Sequence, residues 1–598
     1  QYAEEGKWYD GDRVRFRDGK PVSLRGYQTR VSASFDGNAR ELITWVDNDQ
    51  FKRAAFGTDK KLFQHNGDQI FDITPVSTSV TTSSAFSVAL SANVVTVSAT
   101  AHGRTTGDFV FFTSVSEVGG NIDLAGSVFP VSVINANTFA INVATTASVA
   151  QTSQGQGTCH FLITTGTQNA ATGLGYGAGS YNAGVSVAGA RAWNQPTSAG
   201  ASDFVSQITQ WSLDNWGEDV LANRRGGTIY FFDTDASTTP VRAVKVSGAT
   251  NSTPTTVNSI IVSPNDRHLI TLGSNQFNTT ADPAGTFEPM LVRWSNQEDY
   301  TNFVPSVSST SGESILTDGT KIVGATRSRN AISIWTDNSL WQMQFVGPPF
   351  TFAFQQQGTN CGLIAPHAVV DYNGVPYWMG YENFYAFDGQ VKNLPATIRR
   401  FVFDDLNLDQ KDKIFAGINS EFKEIIWLYP SGTSNDCDKY VLYSPDENYW
   451  TYGTTFFTTF ADRTVFGNTI TTGTTVGGSH LYDNEPPGVF TGNNEALTSF
   501  IESADFDIED GNKIMFMSKI IPDFDINTGN LKFSIKTKRY PESTELIEKG
   551  PFTITTGTEK INLRARGRQG RIRVSCNETG TQWKWGSLRL QVQPDGDR

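Results

Sequence analysis

The residues that could do chemistry in this chain are mostly carboxylates, and two aspartate-rich stretches come nearest to a metal-binding pattern. Residues 523–529 read Asp-Phe-Asp-Ile-Asn-Thr-Gly, and residues 505–511 read Asp-Phe-Asp-Ile-Glu-Asp-Gly. A calcium loop of the EF-hand type needs glycine at its sixth position for a sharp turn, whereas glycine stands seventh here. Because the intervening Phe and Ile fit strand residues that point inward, we expect strands here and no metal site.

Other catalytic patterns are incomplete. Residues 212–217 and 444–450 resemble the Asp-box turn of sialidase propellers but lack its glycine. Six scattered histidines form no HExxH motif, and neither a GxSxG elbow nor a Walker loop occurs. Residues 173–178 match GxGxxA in letters only, because no strand precedes and no helix follows them. Carboxylate pairs for glycoside cleavage stay open, since they need proximity in space rather than in sequence. We therefore expect no catalytic residue, no cofactor and no metal.

The C-terminal forty residues carry the clearest charge signal. From residue 560 to residue 598 there are nine Lys and Arg against three Asp and Glu, in a chain of net charge −13. A basic segment in an acidic chain indicates binding to another macromolecule. One interpretation is a solvated strand edge guarded by arginines, and the other is a contact surface for a second subunit or for nucleic acid. The candidate inter-subunit contact residues are Arg564, Arg566, Arg568, Arg571 and Arg573.

Composition indicates a mainly β protein of several domains. The chain has 598 residues, of which 12% are aromatic and 18% charged, and Thr, Ser, Val and Phe favour strands and turns. Its acidity argues against coating nucleic acid, but a weakly repelling duct for DNA is compatible with it. Four cysteines far apart in sequence are expected to be buried free thiols. No apolar run of about 18 residues predicts a membrane span, and the first residues do not resemble a signal peptide.

Patterns along the chain predict a β-propeller-like core with a small inserted β-barrel and a C-terminal β-sandwich. Pairs of short apolar and aromatic strands recur irregularly from about residue 193 to 490, which is typical of propeller blades, although an array of sandwiches stays open. The predicted parts are residues 1–78 (N-terminal strands, first part of the core), 79–165 (barrel), 166–490 (core) and 491–598 (sandwich).

Four stretches together resemble the tail nozzle or hub proteins of short-tailed bacteriophages. Each stretch is short and moderately specific, but they occur in order over nearly the whole chain. They are residues 14–27 (Val-Arg-Phe-Arg-Asp-Gly-Lys-Pro, then Arg-Gly-Tyr), residues 56–74 (Phe-Gly-Thr, Leu-Phe, Asp-Ile-Thr), residues 175–227 (Gly-Tyr-Gly-Ala-Gly, Trp-Ser-Leu-Asp-Asn-Trp-Gly-Glu, Arg-Gly-Gly) and residues 564–596 (Arg-Ala-Arg-Gly-Arg-Gln, with Trp583, Gly586, Arg589 and Asp595-Gly596).

The resemblance implies a structural virion protein without catalytic activity. It implies a homo-hexameric ring at the distal end of the phage tail, docked beneath tail adaptor proteins, made in the host cytoplasm. Such a ring conducts double-stranded DNA through its lumen during genome ejection and supports tail fibres or spikes. Two other functions stay open: a propeller that binds or hydrolyses cell-surface glycans, and, less favoured, a fibre protein.

Overall fold

The computed structural model describes residues 8–169, 208–235, 242–247, 253–278, 285–329, 331–508, 511–540 and 543–596. Within these residues the protein has 47 strands, one short α-helix, α1 (Arg399–Phe403), and one 3₁₀ helix (Leu408–Lys413). The prediction of a mainly β protein is therefore confirmed.

The strands follow one another along the chain with short connections. The first fifteen are β1 (Trp8–Asp12), β2 (Val14–Arg17), β3 (Lys20–Ser23), β4 (Tyr27–Thr29), β5 (Ala39–Val46), β6 (Lys52–Thr58), β7 (Leu62–His65), β8 (Ile70–Asp72), β9 (Val76–Val88), β10 (Val94–Ser98), β11 (Phe109–Thr113), β12 (Val128–Pro130), β13 (Ser132–Asn135), β14 (Thr138–Asn142) and β15 (Gln151–Leu162). The next sixteen are β16 (Trp211–Trp216), β17 (Asp219–Arg224), β18 (Ile229–Phe232), β19 (Val244–Lys245), β20 (Val257–Val262), β21 (Leu269–Asn275), β22 (Phe287–Trp294), β23 (Gly312–Ile315), β24 (Ile322–Ser328), β25 (Ala331–Thr336), β26 (Ser339–Gly347), β27 (Thr351–Thr359), β28 (Val369–Tyr372), β29 (Val375–Met379), β30 (Phe384–Phe387) and β31 (Val391–Asn393). The last sixteen are β32 (Phe415–Asn419), β33 (Glu424–Tyr429), β34 (Lys439–Ser444), β35 (Tyr449–Thr454), β36 (Phe457–Ala461), β37 (Thr469–Thr475), β38 (Gly478–Asn484), β39 (Ser499–Ser503), β40 (Met515–Ile521), β41 (Phe524–Ile526), β42 (Leu531–Lys538), β43 (Ile547–Ile554), β44 (Ile561–Gly567), β45 (Gln569–Cys576), β46 (Trp583–Trp585) and β47 (Arg589–Pro594).

The chain divides into two compact units. Unit 1 comprises Gln1–Phe35, Ser328–Trp341 and Gln356–Arg598, and unit 2 comprises Asp36–Arg327 and Gln342–Gln355.

Four-stranded antiparallel sheets, consistent with propeller blades, make up most of the core. Neighbouring strands are mostly consecutive in the chain, as in β5 to β8, β16 to β19, β20 to β23, β24 to β27, β28 to β31 and β32 to β35. The turn between β28 and β29 shows why such meanders form here. Asn373 and Gly374 both have positive φ, 56° and 82°, which is the conformation that a two-residue hairpin requires. The recurring apolar and aromatic segments of the sequence are adjacent strands of these sheets.

One sheet of this kind is completed from the opposite end of the sequence. Strands β36, β37 and β38 are joined by β4, which pairs with β38 through Tyr27 and Asn484. Gly26 is required just before β4, because a Cβ atom there would lie 2.1 Å from the carbonyl oxygen of Thr491.

The barrel lies in unit 2 between β8 and β16. Its seven strands run in the order β12-β11-β15-β9-β10-β14-β13 and form a nearly closed barrel. Alternate side chains fill its interior, among them Phe86, Phe112 and Phe139, which are all buried. The predicted small inserted barrel is therefore present.

Glycine at position 57 allows two neighbouring sheets of unit 2 to pack closely. The indole of Trp211, on β16, covers Gly57 on β6, and a Cβ atom at residue 57 would lie 2.2 Å from its Cγ atom. Trp211 Nε1 also donates to the carbonyl oxygen of Thr58 at 2.7 Å. Both segments belong to the stretches that resemble nozzle proteins.

The C-terminal sheets also contain strands from the start of the chain. A five-stranded sheet runs β1-β39-β45-β42-β43, a four-stranded one β2-β3-β46-β41 and a three-stranded one β44-β40-β47. They share one apolar core, in which Val14 packs with Phe533, Trp583 and Trp585. Residues 8–23 therefore belong with these sheets, which corrects their expected place in the first part of the core. Strand β2 pairs with the adjacent β3, and β3 pairs with β46, which lies more than 500 residues away along the chain.

The barrel core generates a stability prediction. Phe86→Ala should lower the free energy of unfolding of the barrel by about 3–5 kcal/mol, because it deletes a fully buried ring. Residues 76–162 contain no tryptophan, so hydrogen exchange of the β9 to β15 amides is the appropriate measurement. Leu90→Ala is the matched control, since Leu90 is 62% exposed, and equal exchange in both variants would contradict the core assignment.

Candidate functional site

The five arginines of the C-terminal region are divided between two sheets with different surroundings. Strand β44 alternates strictly between buried and exposed residues, and this places Arg564 and Arg566 on its exposed side. Arg566 forms an ion pair with Asp595, and Arg564 forms none with the residues that the structure describes. These two side chains are available at the surface of unit 1.

Arg571 and Arg573, on β45, are used inside the fold. Arg571 Nε lies 2.9 Å from Asp505 Oδ1, and its Nη1 lies 3.3 Å from Glu502 Oε1. Arg573 Nη1 lies 3.0 Å from Glu502 Oε2. The guanidinium of Arg571 also covers the ring of Tyr9 at 3.6 Å. Burial alone would raise the pKa of Glu502, but hydrogen bonds from its basic neighbours, with Lys536 foremost, hold that pKa below its usual value.

Arg568 has a third role. Its Nη1 donates to the carbonyl oxygens of Gly511 and Asn512, at 3.0 and 2.6 Å, so it holds the connection before β40. The predicted contact set is thus not brought together as one surface. Arg564 and Arg566 point to solvent, whereas Arg571, Arg573 and Arg568 hold the local fold.

Two further cations share the exposed side of β44. In the sheet β44-β40-β47, Phe516 pairs with Arg566 and Lys519 pairs with Asn562, so Lys519 stands on the same side as the two arginines. Arg589 stands there on β47, opposite Ile521. We call the outward side chains Arg564, Arg566, Lys519 and Arg589 the basic face. The basic charge of the C-terminal region singled out the arginines of this face, but the contributions of β40 and β47 depend on strand pairing.

A buried charge cluster in unit 1 was not predicted. Arg15, on β2, is 2% exposed, and its Nη2 lies 2.6 Å from Glu485 Oε1 and 3.0 Å from Glu424 Oε2. The guanidinium covers the ring of Phe422 at 3.5 Å. Tyr449 Oη donates to Glu424 Oε1 at 2.8 Å. In the sequence, Arg15 is one of three arginines that alternate with Val14 and Phe16, and no local signal identifies its distant carboxylates.

The cluster borders a small cavity. It is lined by Arg13, Leu24, Arg25, Asn419, Glu424, Ile426, Tyr440, Leu442, Thr454, Thr455, Phe457, Phe460, Asn484 and Glu485. The volume of the cavity is about 40 Å³. This is the space of a few water molecules, far below the several hundred Å³ of sites for small organic ligands. Tyr440 Oη, Asn419 Oδ1 and Glu485 Oε2 are buried there without a protein hydrogen-bond partner. The cavity therefore suits water rather than a sugar.

Electrostatics distinguish the two glutamates of the cluster. Burial raises the pKa of Glu424 to about 7, although Arg15 opposes the shift. Two carboxylates beside one guanidinium leave an excess negative charge in a buried site. We therefore expect Glu424 to bind a proton near neutral pH, which neutralises this excess charge.

A hydroxyl, an imidazole and a carboxylate meet in unit 2 in the geometry of a nucleophile triad. His268 Nε2 lies 3.0 Å from Thr310 Oγ1, and His268 Nδ1 lies 2.5 Å from Asp266 Oδ2. The hydroxyl already accepts a hydrogen bond from the Gln297 backbone at 2.9 Å. The imidazole is fully buried against Phe352, with 5.2 Å between the ring centroids. Because the imidazole is buried and the Thr310 hydroxyl also donates to Asn296 Oδ1 at 3.0 Å, we interpret this trio as a structural network.

The motifs singled out in the sequence have structural partners. Asp523 Oδ2 accepts from the Ser587 backbone at 2.7 Å, and Asp505 is held by Arg571. Asp214 accepts from the Val262 backbone at 2.6 Å, and Asp446 pairs with Lys423 at 2.8 Å. The GxGxxA stretch at residues 173–178 lies outside the described residues.

Three further features concern metal ligands, thiols and membrane spans. Across the described ranges, no three His, Cys, Asp or Glu side chains are grouped so that they could hold a metal ion. Cys159, Cys361, Cys437 and Cys576 are buried thiols that form no disulfide, as predicted. In the same ranges, no helix has the length and apolar character needed to span a bilayer.

Comparisons with known proteins give distant structural neighbours only. No protein-family model and no curated protein matches the chain. A phage phi92 endosialidase is 10% identical with a TM-score of 0.18, and the match covers 70% of this chain and 53% of that one. An ancestral GH74 enzyme is 10% identical with a TM-score of 0.30, covering 76% of this chain and 59% of that one. An apocarotenoid oxygenase mutant from Synechocystis is 8% identical with a TM-score of 0.26, and the match covers 72% of this chain and 92% of that one. This chain thus spans less than two thirds of the first two, and at such scores the likeness carries no functional information.

The division of the arginines generates a prediction with a matched control. Arg571→Met should lower the free energy of unfolding by about 3 kcal/mol, because it removes a buried cation from Glu502 and Asp505. Arg564→Met should change it by less than about 0.5 kcal/mol, since this side chain is exposed. Urea denaturation of both variants measures the difference, and similar losses would show that the two arginines have the same role.

The buried glutamate generates a prediction on pH. The folded protein binds a proton at Glu424 up to about pH 7, whereas the unfolded chain releases it near pH 4.5. Stability from this group is therefore present at low pH and is lost as pH rises through that interval. Glu424→Gln removes this dependence on pH. The free energy of unfolding of the variant should therefore rise by on the order of 3 kcal/mol relative to that of the wild type between about pH 4.5 and 8. Urea denaturation at several pH values tests this, and a constant difference would contradict it.

Proposed function

We propose that this chain is a structural virion protein, the tail nozzle of a short-tailed bacteriophage. Six copies would form the distal ring of the tail beneath adaptor proteins, after synthesis in the host cytoplasm. The ring would conduct double-stranded DNA during genome ejection without reading its sequence, and would support fibres or spikes at its sides. The proposal includes no catalytic step, no metal and no cofactor.

The observation that carries the proposal is the basic face on an acidic chain. Arg564, Arg566 and Arg589 are exposed and Lys519 is half-buried, while the whole chain has a net charge of −13. A sheet face of this kind favours a partner of opposite charge. The four stretches that resemble nozzle proteins support an assembly partner, and one of them includes β44.

The competing function, a propeller that binds or hydrolyses glycans, finds less support. Hydrolysis would need two accessible carboxylates around a sugar, whereas Glu424 and Glu485 are buried on one guanidinium beside a water-sized cavity. The adjacent aromatic residues Tyr377-Trp378 and Tyr449-Trp450, which could stack on sugars, make contacts within the fold. Trp378 is fully buried, and Trp450 Nε1 donates to the Pro395 carbonyl oxygen.

Assembly tests the proposal directly. Purified protein should form particles of six 65.4 kDa chains, visible by mass photometry, with a central channel in negative-stain images that is wide enough for duplex DNA. Antibody labelling should place the chain at the distal end of tails. A protein that stays monomeric and binds no tail component would contradict the proposal, and glycan hydrolysis or selective binding on a glycan array would favour the competing function.

A further inference from the structure

The basic face is an unpartnered surface of unit 1. Arg564, Lys519 and Arg589 make no ion pair with any described residue, and Asp595 neutralises only Arg566. The opposite side of the same sheet is occupied, because Leu563, Ala565 and Met517 belong to the apolar core. The cations therefore cannot turn inward and must meet solvent or a partner.

Unit 2 carries a surface of the opposite charge. Three turns bring together six carboxylates, which we call the acidic cluster: Asp47, Asp49, Glu218, Asp219, Asp233 and Asp235. The Asn48 backbone donates to Glu218 Oε2 at 3.1 Å, which joins the turn after β5 to the turn between β16 and β17. The Thr234 backbone donates to Asp219 Oδ1 at 2.9 Å, which joins the segment after β18.

The acidic cluster is under-compensated within one chain. Arg53 pairs with Asp47 at 2.8 Å, but Asp49, Asp233 and Asp235 are exposed. Repulsion from its neighbours, with Glu218 foremost, raises the pKa of Asp235. Repulsion among these carboxylates raises the free energy of the isolated chain, and a cationic partner would lower it.

We propose that the basic face of one copy of this chain binds the acidic cluster of the next copy. This inference rests on the proposed function, since it supplies the contact between neighbours in a ring. The two patches are different surfaces of the molecule, so the contact is heterologous, and a heterologous contact closes into a ring when the rotation allows it. Charge complementarity selects this occupant.

Duplex DNA is the other partner that could meet the basic face. Four cations, one of them already paired with Asp595, can contact only a few phosphates of a DNA backbone. DNA binding also leaves the acidic cluster without a partner, whereas a second copy accounts for both patches.

Paired charge reversals test the contact. Arg564→Glu with Arg566→Glu reverses the basic face, and Asp49→Lys with Asp235→Lys reverses the acidic cluster. Each double variant alone should weaken assembly at least about tenfold. An equimolar mixture of the two should restore it, because their reversed faces complement each other and their unchanged faces also pair. One chain carrying all four substitutions should assemble like the wild type, and added salt should weaken wild-type assembly.

Controls separate the outcomes. Lys392→Glu with Lys423→Glu makes the same charge change at two exposed lysines and should leave assembly unchanged. Arg564→Gln with Arg566→Gln should weaken assembly less than reversal does, which guards against misfolding of the reversed form. If the wild type forms rings that both reversals leave intact, this inference is wrong and the proposed function stands. A wild type that never assembles overturns both, and normal assembly with loss of duplex DNA binding would assign the basic face to DNA.

Discussion

The burial of Arg15 between Glu424 and Glu485 is the constraint on which the architecture of unit 1 depends. A cation at 2% exposure is tolerable only while its carboxylates stay in place. Those carboxylates come from β33 and from the end of β38, so the pairing holds the N-terminal segment against two sheets at once. Within the next fifteen residues the same segment supplies β3 and then β4, which joins the C-terminal sheets to the sheet of β36 to β38. Misplacing this segment would remove strands from several sheets together.

Arginine has three different roles in this protein, and surroundings rather than sequence separate them. Arg15 is buried between two carboxylates, and Arg571 forms ion pairs with Glu502 and Asp505. Arg564 is exposed to solvent. In the first case burial raises the pKa of Glu424, while in the second hydrogen bonds from basic side chains hold the pKa values of Glu502 and Asp505 below their usual values. The third leaves charge available for association, where it influences partner choice more than stability.

Much of the fold could be predicted from sequence because β patterns are local. Alternation in β44 and the Asn373-Gly374 turn each identify an element without reference to the rest of the chain. The barrel was recognisable from a change in composition, and part of its core follows from alternation in β10 and β14. The candidate site was predicted only in part. Arg564 and Arg566 were expected at a surface and are there, but Arg571 and Arg573 have the same local pattern and lie against acids from β39 and its following loop.

By itself the sequence determined the strand content, the turns, the inserted barrel and the existence of a basic C-terminal strand in an acidic chain. Tertiary structure alone decided which arginines are free, that residues 8–23 complete the C-terminal sheets, and that Lys519 and Arg589 join Arg564 on one face. The physical reason is the range of the interactions. Side-chain alternation and turn preferences act over a few residues, whereas ion pairs and strand pairing join residues separated by hundreds of positions, as between Val22 and Lys584. No local pattern encodes such a partner.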